Sequence, residues 1–366
     1  MLYLTSLHLS HFRSHKSLEL KCDERPVALF GANGSGKTNI LEAVSLFSPG
    51  RGLRRASAED MARRPEHIGW KLRGALTAQG RHHEIELSSR NGAARSTKID
   101  GKTASQTALG GITRVLWLVP AMDRLWIEGA EGRRRFWDRI ALSFFPSHAE
   151  HSLSYEKAMR ERNRLLKDQV TDDHWYRALE HQMALSGVAI MQARQAALAY
   201  IHDAQIAAST QFPKAELTLL QSENGPLPDT VEDLSAAFAS ARARDLAAGR
   251  SLLGPHRTDL SALYLSKGMP AKECSTGEQK ALLISIILAN ARALTEQIGA
   301  PPILLLDEVA AHLDAQRRAA LYTEINNLKA QAWMTGTGPE LFEDLGEAAL
   351  MLELGDSGSG SFIKPA

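Results

Sequence analysis

Apolar and polar residues alternate at the start of the chain. Leu2/Leu4, Leu7/Leu9 and Leu18/Leu20 step by two, the period of strands with one buried face. Val27-Ala28-Leu29-Phe30 is apolar throughout and reads as a strand. Behind it, Ile40, Leu41, Val44 and Phe47 share one helical face. A basic, irregular stretch follows over 50–64, with Arg51, Arg54, Arg55, Arg63 and Arg64. Strand-like segments resume at 70–77 and 83–88, and Ile99 precedes the hairpin signal Asp100-Gly101. The run Val115-Leu116-Trp117-Leu118-Val119, closed by Pro120, predicts a buried strand.

From about Glu131 to Ala248 strand signals nearly vanish. Helices are predicted over 132–144, 153–167, 174–209 and 231–247. The third carries Trp175, Leu179, Met183, Ile190, Ala197 and Ile201 at spacings suited to packing on a neighbour. A Pro/Asn/Gly-rich segment, 222–229, separates the last two. The long sustained heptads of an extended coiled coil are missing. The last third returns to α/β. An apolar helix opens at Ser275, Ile303-Leu304-Leu305-Leu306 is a buried strand, 314–328 is a helix, and 332–334 and 349–354 are strands. A Gly/Ser-rich tail from Gly355 is expected to be mobile. This gives an α/β head, 1–120 with 255–366, and a helical insert, 121–254.

Three motifs fall at the ends of these elements. Gly31-Ala32-Asn33-Gly34-Ser35-Gly36-Lys37-Thr38 is a P-loop between strand and helix. Gly31, Gly34 and Gly36 let backbone N–H groups, with those of Asn33 and the helix start, curl around phosphates. Lys37 is placed to reach the β/γ-phosphates of ATP, and Thr38 to ligate Mg²⁺. The strand 303–306 ends in Asp307-Glu308, a Walker B pattern, with Asp307 a metal ligand and Glu308 a general base. A solvated acidic turn is the plainer reading of that pair alone. Ser275-Thr276-Gly277-Glu278 is either an anion site at a helix start or a capping box of Ser275 and Glu278.

The chain has 366 residues, enough for two or three lobes. Its net charge of +1 excludes a global basic field, so any nucleic-acid contact is local. Arg133–Arg135, the group Arg160, Arg162, Arg164 and Lys167, and Arg51/Arg54/Arg55 are candidate patches, and equally candidate solvated faces. Two distant cysteines, no leader pattern and no apolar run of membrane-span length point to a cytoplasmic protein.

The motif order P-loop, S-x-G-E, Walker B resembles the ATP-binding-cassette (ABC) ATPases. In that family the signature caps the γ-phosphate bound by a second subunit, and the Asp of His312-Leu313-Asp314 matches a loop that crosses the interface. About 240 positions separate Lys37 from Ser275, too many for a transporter subunit and too few for a long-armed chromosome-maintenance protein. Five segments are similar to the RecF family. They are Leu7–Ser14 with Phe12-Arg13, Asn33–Ala43 with Thr38-Asn39 and Glu42, Gly132–Asp138, Tyr155–Lys167, and Gly254–Leu260.

The resemblance implies an ABC-type head with a mixed sheet, and a weak, DNA-stimulated ATPase acting as a conformational switch. It implies a homodimer formed on ATP that clasps single- or double-stranded DNA without sequence preference, with RecR, RecO and RecA as partners and no membrane. It adds Arg13, Asn39, Ser275, Gly277, Glu278 and Asp314 to the nucleotide site. A transporter ATPase subunit or a P-loop kinase is the alternative. Departures are His11 for the usual Asn, Ala121-Met122 for an acidic pair, Thr258 for an acid, and Thr335-Gly336-Thr337 where transporter ATPases carry a switch His.

Overall fold

The structure, a computed structural model, describes residues 1–64, 66–90, 92–221, 227–356 and 361–365. In chain order, β1 (Leu2–Phe12), β2 (His15–Lys21) and β3 (Val27–Phe30) lead to α1 (Lys37–Ser45). Then come β4 (Trp70–Ala78), β5 (Arg81–Ser89), β6 (Ser96–Ile99), β7 (Lys102–Ala104) and β8 (Val115–Leu118). The helices α2 (Ala130–Phe144), α3 (His148–Lys167) and α4 (Asp173–Ala207) precede β9 (Ala215–Leu220). Next are α5 (Val231–Ser240), α6 (Arg242–Ala248), β10 (Asp259–Tyr264) and β11 (Met269–Pro270). The chain closes with α7 (Thr276–Ile298), β12 (Ile303–Leu306), α8 (Ala315–Leu328), β13 (Ala332–Gly336), β14 (Leu350–Asp356) and β15 (Ser361–Pro365).

Two compact units result. The first comprises Met1–Asp123, Ala204–Lys214 and Ser275–Ala366. The second comprises Arg124–Asp203 and Ala215–Cys274. Residues 255–274, expected in the head, therefore group with the second unit, and 121–123 and 204–214, expected in the insert, group with the first. Residues 255–274 do so because β10 pairs antiparallel with β9, Asp259 opposite Leu220 through Tyr264 opposite Ala215.

In the first unit an antiparallel sheet runs β2-β1-β4-β5-β6-β7. A second sheet runs β15-β14-β3-β13-β12-β8, parallel from β14 to β8. One apolar cluster joins both sheets. Leu7, Leu9, Leu72 and Leu87 come from the first, Val27, Leu29, Ile303, Leu305 and Trp333 from the second, and Ile40, Leu41 and Val44 from α1. Burial of such side chains is worth about 1.5–3 kcal/mol each. It fixes α1 against the strands, and so fixes the loop that precedes it. Gln331 ties the sheets together, accepting from Leu4 N at 2.9 Å and donating to Leu4 O at 2.8 Å. By length and composition α7 could span a membrane, but 72% of its most apolar window is buried in the fold.

The second unit has its own core of Tyr155, Met183, Val188, Ile190, Leu234, Phe238 and Leu253. Several expectations are corrected here. Strand β9 lies between the helices expected over 174–209 and 231–247, in a stretch where strand signals nearly vanish, although Ala215-Glu216-Leu217-Thr218 does alternate. Trp175 is 64% exposed rather than packed. Helix α3 starts at His148, just past Pro146, and the helix expected over 231–247 is divided into α5 and α6 at Ala241. Of the separator 222–229, residues 222–226 lie outside the described residues. Of the tail expected to be mobile, 357–360 and 366 lie outside them, whereas Leu352–Asp356 pairs antiparallel with Ser361–Pro365.

Candidate functional site

The P-loop leaves β3 through Gly31 at φ +145°, where a Cβ would come within 2.2 Å of Leu354 O. Only glycine fits between β3 and β14 in that conformation. Gly36, at φ +98°, caps α1 and accepts from Asn39 N at 3.0 Å and Ile40 N at 3.2 Å. Asn33 and Gly34 are exposed at the tip of the loop. Lys37 is only 6% exposed and folds back on the loop, donating from Nζ to Gly31 O at 2.7 Å and Ala32 O at 2.9 Å. Burial pulls its ammonium below the usual lysine range, while the nearby carboxylates of Glu308 and Asp307 oppose that shift.

Parallel pairing puts the ends of β3, β13 and β12 side by side, so the acids after β12 face the P-loop. Thr38 Oγ1 donates to Asp307 Oδ1 at 3.0 Å. Thr335 Oγ1 donates to the same oxygen at 2.8 Å and accepts from Glu308 N at 2.9 Å. Glu308 is held in the left-handed region at φ +54°. Lys37, Thr38, Asp307 and Glu308 are thus assembled in one place, with Thr335 as the group the motif search did not assign. Its only signal in the sequence was a hydroxyl at the end of the strand that follows Walker B.

The other nominated residues are placed differently. Arg13 points its guanidinium at Glu42, with Nε to Oε2 at 2.8 Å and Nη2 to Oε1 at 2.6 Å, and donates to Asp60 O. Asn39 donates to Ser14 Oγ at 2.8 Å and accepts from Arg54 at 2.7 Å. At the exposed start of α7, Glu278 accepts from Ser275 N and Ser275 Oγ, both at 2.8 Å, in a capping box. A Cβ on Gly277 would meet nothing within 4 Å. Asp314 is the exposed N-cap of α8, accepting from Arg317 N at 2.8 Å.

Several basic candidates are structural. Arg162 is fully buried and bonded to Glu180, Asp245, Ser251 Oγ and Phe238 O. Arg133 is paired with Asp259 at 2.8 Å, and Arg134 donates to Thr258 O. Thr258, which replaces an acid, is buried and accepts from Arg194 at 2.7 Å.

The sequence model of the RecF/RecN/SMC N-terminal domain matches residues 3–353. The DNA replication and repair protein RecF of Brucella suis is 48% identical over 349 residues, spanning 93% of this chain and 91% of that one. The chain belongs to the RecF family. RecF of Caulobacter vibrioides is 44% identical over 376 residues, spanning 97% of both. A solved structure of the recombination mediator RecF with ATP, from the RecFOR pathway, superposes with a TM-score of 0.83. It is 21% identical and spans 100% of this chain and 99% of that one. An Smc head domain from Pyrococcus furiosus, 17% identical, superposes at 0.58 over 100% and 96% of the two chains. The RecF-family chain therefore has the ABC-type head fold, with mixed α/β sheets.

Proposed function

We propose that the protein is an ATP-dependent DNA-binding protein of recombinational repair and replication restart. Two copies assemble head-to-tail on ATP, clasp DNA at single-strand gaps or junctions, and act with RecR and RecO in loading RecA. Slow, DNA-stimulated hydrolysis resets them. The observation that carries this reading is the convergence of Lys37, Thr38, Asp307 and Glu308 through the Asp307 oxygen shared by Thr38 and Thr335. Relatives named for DNA replication and repair, and a solved relative with ATP, support it.

The residues fit the nucleotide and its metal. Where a Cβ on Gly36 would strike His15 and Ser14 at 2.7 Å, bare backbone forms a tight cradle ahead of a helix N-terminus. The Thr38 and Asp307 oxygens, 3.0 Å apart, are the hard donors that Mg²⁺ prefers. When bound, Mg²⁺ neutralises charge on the β- and γ-phosphates. Lys37 exchanges its loop carbonyls for phosphate oxygens. Glu308 takes the proton of the attacking water. Ser275 and Gly277 of the second copy would cap the γ-phosphate from a helix N-terminus, with Asp314 at the shared face. Binding and dimerisation are then linked, because each nucleotide is enclosed only in the dimer.

Light scattering of the Glu308→Gln variant tests the clamp. Its mass is expected to double with ATP and Mg²⁺ and to stay monomeric without them. A monomer in both conditions would sink the clamp. Hydrolysis that ignores DNA but responds to a small acceptor would replace it with a kinase.

A further inference from the structure

The tight turn between β1 and β2 touches α1 at three points in register. His15 Nε2 lies 3.2 Å from Gly36 O. Ser14 Oγ accepts from Asn39 Nδ2 at 2.8 Å. Arg13 makes a two-pronged ion pair with Glu42, its shorter contact 2.6 Å. Successive residues of the turn meet positions three apart along the helix, which share one helical face. The turn is itself held from behind, Arg13 N donating to Met61 O at 2.9 Å and Arg63 N to His11 O at 2.8 Å. Glu42 is fully buried and carries a second guanidinium, that of Arg54, at 3.1 Å. Arg13 and Asn39 are therefore occupied in a contact that leads away from the phosphate loop.

The geometry points to this turn as a positioning clamp on the phosphate loop, with His15 as its working residue. The inference rests on the ATP-site reading above. His15 is completely buried, and its Nδ1 has no partner among the described residues. A neutral ring carries one proton, and the Gly36 carbonyl can only accept, so that proton sits on Nε2 and is donated to Gly36 O. The peptide unit is planar, so fixing the Gly36 carbonyl fixes the Lys37 N–H on the opposite side of the same plane. That N–H is one of the unpaired donors at the start of α1 that a phosphate would use. Gly36 is in the left-handed region at φ +98° and has no side chain to brace it, so the brace comes from β2. Burial also holds the imidazole below its usual pKa, with the Gly36 bond opposing, which favours the neutral ring with its one proton on Nε2.

The rival account is that the helical bonds from Asn39 and Ile40 hold the Gly36 carbonyl unaided and His15 merely fills space. His15→Leu removes the donor at similar bulk, and His15→Gln restores an N–H at similar reach. ATP affinity by calorimetry, kcat at saturating ATP and the nucleotide-free unfolding midpoint are measured for each. The clamp predicts about a tenfold loss of ATP affinity in His15→Leu, kcat within about twofold, and recovery to within about threefold in His15→Gln. Equal affinities in the Leu and Gln variants, or affinity losses that merely track a lower midpoint in both, overturn it. Should His15→Leu fail to fold, Ser14→Ala cuts the middle contact. A loss of about threefold with an unchanged midpoint is then expected, and wild-type affinity there would overturn the clamp. If Lys37→Met binds ATP as well as the wild type, the ATP-site reading itself fails, which is a separate outcome.

Discussion

At the residue scale, one hydroxyl orders the acidic half of the site. Thr335 Oγ1 donates a hydrogen bond to Asp307 Oδ1 and accepts one from Glu308 N. Glu308 needs that anchor, because a non-glycine residue in the left-handed region costs roughly 1–2 kcal/mol. Replacing Thr335 with Val keeps the shape and removes the bond. Glu308 N then loses its Thr335 acceptor, and the Asp307 carboxylate keeps its bond from Thr38. If Thr335 aims the acids without touching nucleotide, Thr335→Val lowers kcat by roughly 10- to 100-fold with KM for ATP within about threefold, and Thr335→Ser restores most of it. Steady-state hydrolysis of the three proteins checks this. A raised KM at unchanged kcat would make Thr335 a nucleotide contact instead.

At the scale of elements, polar joints link segments of the second unit around its apolar core. His256, in the segment before β10, accepts from the Tyr155 hydroxyl of α3 at 2.8 Å and donates to Ser251 O at 3.1 Å. Burial takes its pKa down from 6.5 to about 4, against the Ser251 bond and with the charges of Arg257, Arg134 and Arg162 adding to the fall. The folded state therefore binds fewer protons than the unfolded chain between those values. Stability is full above pH 6.5 and declines as pH falls toward 4, by up to about 3 kcal/mol. Urea unfolding followed at pH 7.5 and 4.5 should show the loss, and His256→Gln should flatten it. A slope unchanged in that variant would assign the acid sensitivity elsewhere. These joints mark where sequence reasoning stops. The P-loop and Walker B announce themselves because short-range spacing and an apolar strand set their chemistry. Arg162 looked like a helix-surface cation. Only the distant partners Glu180, Asp245 and Ser251 reveal it as a buried hub. Strand β9 was lost for the same reason, since its partner β10 lies far along the chain.

At the scale of the whole molecule, charge constrains the DNA-binding role proposed above. The chain has 43 Lys and Arg against 42 Asp and Glu, so no long-range basic field assists binding. Arg133, Arg162 and Arg194 are already committed to Asp259, Asp245 and Asp138. Freeing Arg162 for a phosphate would leave the fully buried Asp245 carboxylate without its guanidinium, which costs several kcal/mol. The cations left for DNA are exposed ones such as Arg51, Arg160 and Lys167. A single copy should therefore contact few phosphates and bind weakly, with a shallow salt dependence. Each phosphate neutralised contributes about 0.9 to the slope of log affinity against log salt on duplex DNA. If ATP brings two copies onto one DNA, their contacts add, and the slope with ATP and Mg²⁺ should be about twice that without. If Lys37 grips the phosphates as proposed, Lys37→Met should keep the single-copy slope under both conditions and lose ATP-dependent retention. Retention assays over a salt series give both numbers. An ATP-induced gain in affinity at constant slope would mean that ATP rearranges one copy rather than recruiting a second.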